Sequence, residues 1–261
     1  MSDVSSDEVL RASDEWQWVP QGAETFVVRG VRVVDYPEWA RMGFYVTPTK
    51  VTDPPVDVVE EVHALAKHRR RPASEWWISP STEPAELEAE LQRRGATLKV
   101  TTDILAIDIS GGLPDLDLNP DIECRLVVDE QTLEDAEEVA AAGWGGSPSG
   151  PERRAQQLRD LAGPIDGPTG FRVVAYRGGR PISTAGCELT GEVARLYGGV
   201  TLAKARGQGG YRATVAKRLT IAHRHGARLG LVHARVETSL PILERVGFKS
   251  YGAARLYVLA A

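Results

Sequence analysis

Two stretches of this chain end alike, and the likeness holds at a single spacing. Trp77, Leu91, Gly95, Ile104 and Leu105 correspond to Leu229, Leu243, Gly247, Leu256 and Tyr257, each pair 152 residues apart. The anchors span a strand, a helix, a helix-ending glycine and a second strand. Common helix endings share part of such a pattern, but five anchors in one register read as a duplicated supersecondary unit. A chain of 261 residues is long enough for two modest domains. The segment Ser110–Asp121, dense in Gly, Pro and Asp, reads as the connection between them. Units are therefore expected at 1–110 and 122–261, with a linker at 111–121.

Local periodicity fills in the two halves. The first dozen residues, rich in Ser and Asp, read as a loose tail. Two β-branched runs around Gly30 read as a hairpin, and 42–47 as a further strand. Helices are expected at 56–69 and 84–94, and strands at 76–79 and 98–109. In the second half a strand at 122–128 precedes a helix at 132–142, with Thr132 or Asp129 as its cap. A Gly-rich loop at 143–150 leads to a helix at 152–161. Runs at 171–176, 182–189 and 193–202 alternate with glycine turns, as an antiparallel meander does. Tyr211, Val215, Leu219 and Ala222 form one apolar stripe of a helix that ends at Gly226. A strand at 229–236, a helix at 240–246 and a strand at 248–259 complete the order.

Bulk properties narrow the function classes. A net charge of −5 gives no general attraction to nucleic acid or anionic lipid, so an anion site must be local. Cys124 and Cys187 fit neither a disulfide framework nor a metal pattern; they read as buried thiols in a reducing compartment. The polar, acidic start lacks the apolar core of a signal peptide, and no apolar run reaches the ~20 residues needed to span a bilayer. A soluble, cytoplasmic protein without membrane or nucleic-acid partners is expected. His223 and His225 stand two residues apart at a helix end, where they do not converge on a metal, and no metal site is expected.

The chemistry-bearing stretch is Arg206-Gly207-Gln208-Gly209-Gly210-Tyr211, between a strand-like and a helix-like run. Glycines that open a helix gather unpaired N–H groups at the positive end of its dipole, which suits a phosphate. No Gly-Lys-Ser/Thr follows, so a Walker loop is excluded. Arg212 stands where a dinucleotide fingerprint needs its third glycine, and the preceding strands form a meander. The register of the repeat places Pro54-Pro55-Val56-Asp57 at the equivalent place in the first half. Prolines remove donors and Asp57 repels phosphate, so one anion site per chain is expected.

The pattern Arg-x-x-Gly-x, the strand ending Gly199-Val200-Thr201-Leu202 before it and the unit 229–248 after it resemble the GNAT superfamily of acyl-CoA-dependent N-acyltransferases. The resemblance covers 122–259; Tyr211 departs from it by occupying a final position that is usually small. It implies a mixed α/β (α+β) chain of two GNAT-like units, each a mostly antiparallel twisted sheet flanked by helices, the first a truncated, degenerate copy. It implies acetyl-CoA as co-substrate, its diphosphate held at Arg206, Gly207, Gln208, Gly209, Gly210, Tyr211 and Arg212. Val200, Thr201 and Leu202 would pair with the pantetheine amides as an added strand does. An N–H near Val200 or Leu202 would polarise the thioester carbonyl. The implied reaction is acetyl transfer to a primary amine by direct attack, in a monomer or homodimer.

Two family positions are changed. Thr238 or Ser239 stands in place of the usual Asn, and Leu243 in place of the Tyr that protonates the leaving thiolate. Either Ser239, Tyr251 or Tyr257 takes that role, or the thiolate leaves unassisted, or the domain binds acyl-CoA as a non-catalytic sensor. No acid lies within 193–202, leaving Glu188 and His233 as substitute bases. Trp144 is expected to line an acceptor pocket or to pack. Arg69-Arg70-Arg71 read as a solvated helix end, and Trp76 and Trp77 as core.

Overall fold

The computed structural model describes residues 4–40, 42–147, 149–161 and 169–261. Two compact units emerge, and both are discontinuous. One comprises Leu105–His233 with Pro241–Lys249; the other comprises Ser5–Ile104 with Ala234–Leu240 and Ser250–Ala261. The first holds the Arg206–Tyr211 stretch and is called the motif-bearing unit; the second is the companion unit.

The motif-bearing unit is built on strands β6 (Ile122–Leu126), β7 (Thr169–Arg177), β8 (Arg180–Thr190), β9 (Val193–Thr201) and β10 (Leu229–Arg235). Strands β6 to β9 pair antiparallel in sequence order, as a meander does. Strand β10 then pairs parallel with β9, and β5 (Thr97–Asp108) flanks β10 with its last residues. Helix α4 (Glu130–Trp144) covers one face. Its Leu133 and Ala136 pack with Val127, Val174 and Tyr176. Helix α6 (Gly210–Arg224) covers the other, where Ala213 packs with Ala175 and Ile182. Adjacent residues of a strand point to opposite faces, so Val174 and Ala175 fix which helix lies where. Asp129 is the cap of α4: its carboxylate accepts the Thr132 N–H at 2.8 Å, and Thr132 replies to the Asp129 N–H at 3.2 Å. Helix α5 (Pro151–Leu161) follows α4, and α7 (Leu240–Val246) follows β10.

The companion unit holds β1 (Glu24–Val28), β2 (Val31–Asp35), β3 (Phe44–Thr47), β4 (Ala73–Ile78) and β11 (Lys249–Ala260), with the N-terminal part of β5 beside β11. Strands β1 to β3 are antiparallel, β3 pairs parallel with β4, and β11 pairs antiparallel with β4. Arg29 and Gly30 take φ of 47° and 79°, the two left-handed residues of a tight hairpin turn. Helices α2 (Pro55–His68) and α3 (Glu86–Arg93) supply Val58, Val62, Leu87 and Leu91 to a core centred on Trp76. Each such fully buried side chain contributes roughly 1.5–3 kcal/mol.

Three expectations need correction. The boundary at 111–121 separates the chain's halves in sequence, whereas the compact units trade strands: β11 joins β4, and the end of β5 joins β10. The N-terminal tail includes a helix, α1 (Ser6–Asp14). Ser5 caps it by accepting the Glu8 N–H, and Val9 and Ala12 are buried, so a short apolar stripe outweighs the polar composition. Of the arginine run, Arg70 is exposed as expected, but its two neighbours are anchored. Arg69 reaches Asp35 at 2.9 Å, and Arg71 reaches the Tyr36 carbonyl at 2.8 Å, tying the end of α2 to buried Asp35 on β2 and to the residue after it.

The repeat anchors fall in corresponding elements, and the helix ends share their hydrogen bonds. Gly95 and Gly247 both have left-handed φ, at 83° and 103°. The N–H after each returns to the helix, Ala96 to Leu91 O and Phe248 to Leu243 O, at 2.9 and 3.1 Å. No helix among the described residues is long and apolar enough to cross a membrane.

Candidate functional site

The glycine turn is the junction between β9 and α6. A short 3₁₀ turn, Ala203–Ala205, leads to Arg206; Gly207 and Gly209 then take φ of 74° and 95°. That conformation costs a side-chain-bearing residue about 1 kcal/mol or more. Gly210 answers a different demand. A methyl group there would lie 2.9 Å from Ile182 Cδ1 and 3.2 Å from Ser183 Cβ, so the helix start can rest on β8 only without one. As N-terminal residues of α6, Gly210 and Arg212 have no carbonyl within the helix to receive their N–H groups, and those of Gly207, Gln208 and Gly209 have no backbone acceptor among the described residues. Arg206 is exposed and forms no ion pair among the described residues. Arg212 touches the Asp117 carbonyl at 3.2 Å and its exposed carboxylate at 3.7 Å.

The 111–121 segment is a strap over this turn, which no local pattern reveals. Asn119 donates to the Gln208 carbonyl at 3.0 Å, its Cβ lies 3.4 Å from where a Gly209 side chain would begin, and Leu116 is buried. Arg177 donates to the Gln208 side chain at 2.7 Å.

Beside the turn, β9 parts from β10. The parallel pairs run only from Val193 to Arg195, whereas β9 stays with β8 through Thr201. The register with β8 shifts between Thr184 and Gly186, leaving Gly198 and Gly199 as a bulge, with Gly198 at φ 59°. From Leu196 to Thr201, one edge of β9 therefore has no strand partner among the described residues. Two side chains hold the bulge. The Tyr211 ring lies on Gly199, where a methyl group would sit 2.7 Å from its Cε2. The large residue at the small family position is thus matched by a missing one on β9. Arg218, fully buried on α6, donates to the Gly186 carbonyl at 3.0 Å and the Tyr197 carbonyl at 3.5 Å.

Strand phase moves one expected role. The Leu202 N–H is donated to Ile182 O at 2.9 Å, toward β8. Alternation directs the Val200 N–H the same way, and leaves the Thr201 N–H on the open edge. Thr201, not Val200 or Leu202, presents the donor there. The Val200 side chain lies under α4, where a methyl group on Gly143 would overlap it. Trp144, next in sequence, ends α4 with 40% of its surface exposed; the 143–150 loop includes Pro148, outside the described residues.

Glu188 pairs with Arg195 across β8 and β9, and the Arg195 guanidinium stands 3.3 Å from its carboxylate. His233 lies two residues beyond the last paired residue of β10, Leu231, on the same face. Burial, then the charge of Arg195, push its pKa from 6.5 to about 4. It is neutral at neutral pH and a weak base. Because the unfolded chain binds this proton near pH 6.5 and the folded one near 4, the stability it contributes is complete above 6.5 and is lost as pH falls toward 4. The urea midpoint should drop over that window, and His233→Gln should flatten the drop.

The remaining sequence candidates are placed elsewhere. Ser239 and Tyr257 group with the companion unit. Ser239 accepts the Arg235 N–H at 2.9 Å. Tyr257 is buried; its hydroxyl donates to Glu88 at 2.8 Å and accepts from Gln92 at 3.0 Å. Leu243 is fully buried on α7. Leu243→Tyr should therefore overpack the core at about 1–3 kcal/mol, read as a lower urea midpoint. Burial pushes both thiols, Cys124 and Cys187, up to about 12, so neither is a nucleophile at neutral pH. No group of metal-ligating side chains occurs among the described residues.

The companion unit differs at the matching place. Pro54 and Pro55 start α2, removing donors. Its parallel pairs also end early, at Val46 with Trp76, but the segments beyond the two strands meet again. Glu83 N donates to Thr49 O at 2.6 Å, and Val51 N to Glu83 O at 2.8 Å. The gap that stays open beside β9 is stitched shut beside β3.

Among solved structures, a GCN5-related N-acetyltransferase from Kribbella flavida superposes with a TM-score of 0.72 at 18% identity, over 97% of this chain and 95% of that one. A second, from Sphaerobacter thermophilus, gives 0.64 at 16% identity, over 98% and 85%. The fold is that of the GNAT acetyltransferases. A tandem GNAT protein from the clavulanic acid biosynthesis pathway also matches, at a TM-score of 0.61 and 13% identity, over 97% and 87%. No protein-family model matches the sequence, and no curated protein does. At these identities the likeness establishes the GNAT fold and leaves the chemistry to the site.

Proposed function

We propose that the motif-bearing unit transfers an acetyl group from acetyl-CoA to an amine, and that the companion unit is a degenerate GNAT-like copy without a cofactor site. The observation that carries this reading is a coincidence in one place: a left-handed glycine turn, whose Gly207–Gly209 N–H groups have no backbone acceptor among the described residues, adjoins a strand edge without a strand partner among them. The N–H groups of Gly207 to Arg212 suit a diphosphate, with Arg206 adding charge. The bare edge of β9 at Val200–Leu202 suits an extended chain of amides. The Thr201 N–H suits the thioester oxygen, where charge develops on attack. The nitrogen–carbon bond forms as the carbon–sulfur bond breaks, and the amine proton leaves through water toward Glu188. Ser239 and Tyr257 remain the hydroxyl candidates for protonating the thiolate; with both engaged in the companion unit, unassisted departure is the simpler route.

A second reading is a non-catalytic acyl-CoA sensor, favoured by Leu243, which buries an apolar side chain where the family places its acid. Release of CoA, followed with a thiol-reactive dye across an amine panel, separates the two when paired with calorimetry of acetyl-CoA. Turnover supports the enzyme; micromolar binding without turnover supports the sensor. A protein that binds no CoA ester would be neither.

A further inference from the structure

On the sheet face that α4 covers, three strands line up two rows of residues. Arg172 of β7 pairs with Gly186 of β8, which pairs with Tyr197 of β9. In the neighbouring row, Gly170 pairs with Glu188, which pairs with Arg195. Residues two apart on a strand share a face and stand about 7 Å apart. The glycines are what open the face. The Tyr197 ring lies across Gly186, where a methyl group would be 2.4 Å from its Cζ, and its hydroxyl comes within 3.5 Å of one placed on Gly170. The phenol thus reaches over β8 toward Arg172's strand.

Arg172 is the unexplained charge. Its guanidinium has neither a hydrogen bond nor an ion pair among the described residues, although burial penalises its charge. Two other buried cations of this unit have partners: Arg218 in carbonyls and Arg195 in Glu188. The carboxylate nearest in field, Glu137 of α4, is occupied by the Ser149 N–H at 3.2 Å and Arg154 at 3.5 Å. Arg172 and Tyr197 both retain solvent exposure, so a ligand can reach them. A partly desolvated guanidinium with no partner among the described residues, beside a phenol, suits a planar anion.

Resting on the acetyltransferase reading, we propose that the acceptor is an amine that itself carries a carboxylate, held by Arg172 and the Tyr197 hydroxyl, with its nitrogen toward the bare edge of β9. The next row toward the glycine turn pairs Thr184 with Val200, about 7 Å along β8, which matches the length of a short amino acid. Glu188, one row farther from the turn and held by Arg195, takes the amine proton through water.

The test is a panel of amino acids beside their carboxamides and decarboxylated amines, measured with wild type, Arg172→Gln and Arg172→Lys. The acids should be preferred by about 100-fold in kcat/KM. Arg172→Gln should erase that preference through KM, with the carboxamide rates and the acetyl-CoA Kd unchanged; Arg172→Lys should keep part of it. Equal use of acids and carboxamides by wild type overturns the proposal, as does an equal loss for both in Arg172→Gln. If no amine is turned over, the same acids are titrated into the protein saturated with acetyl-CoA. Binding that Arg172→Gln abolishes upholds the proposal, and no binding overturns it. Failure to bind acetyl-CoA would instead remove the acetyltransferase reading.

Discussion

Gly209→Asp should weaken acetyl-CoA binding by at least about 100-fold while leaving the fold in place. Gly209 is the cap of α6 at φ 95°, a conformation that Asp tolerates better than most residues. Its carboxylate would take the N–H groups of the first helical turn, as a good cap does. The donors offered to a diphosphate would then be spent, and a negative charge would stand where the anion must sit, at a distance where like charges repel by a few kcal/mol. Gly209→Ala separates charge from strain: it keeps the donors and should lose about tenfold at most. Calorimetry of acetyl-CoA with both variants, beside their thermal melts, decides. An unchanged Kd in the Asp variant would place the diphosphate elsewhere.

Arg218→Leu should cost stability and binding together. Only 2% of Arg218 is exposed, and its guanidinium donates to Thr214 O at 3.0 Å as well as to the Gly186 and Tyr197 carbonyls. Leucine fills the volume but leaves those acceptors without donors, at about 1–3 kcal/mol each. The expected loss is about 3 kcal/mol, read as a lower urea midpoint. Two of the three acceptors flank the β9 bulge, so the bare edge should lose its shape and acetyl-CoA affinity should fall even in the folded fraction. Arg218→Lys keeps a charge with fewer donors and should fall between. A variant that melts like wild type and binds as tightly would show that the bulge needs no brace.

What the sequence revealed, and what it hid, follows from the range of the forces involved. Helix α6 was legible from its stripe and its terminal glycines, and the hairpin at Gly30 from its flanking β-branched runs, because both are decided within a few residues. The glycine turn was legible for the same reason. Pairing of β11 with β4 was not, since both strands carry the same alternation and nothing local says which edge each will meet. Nor was the Arg172–Gly186–Tyr197 row, which exists only once two registers are set. Gly186 was visible as a glycine in a strand, the usual sign of close approach, but not what approaches it. The arginines ending α2 were misread because Asp35, their partner, lies far back along the chain. Helix α1 was passed over on composition although Ser5 and the Val9–Ala12 pair were its signals.

The traded strands set a condition on how this protein is made. Strand β4 is synthesised early, yet the edge beside it is filled by β11, made long after it. Until then a row of backbone donors and acceptors in the companion unit stands bare, inviting pairing with any other chain nearby. Cutting the gene at the 111–121 segment would make that exposure permanent, leaving each product short of a strand it needs. The two halves are related in pattern but are not separable parts.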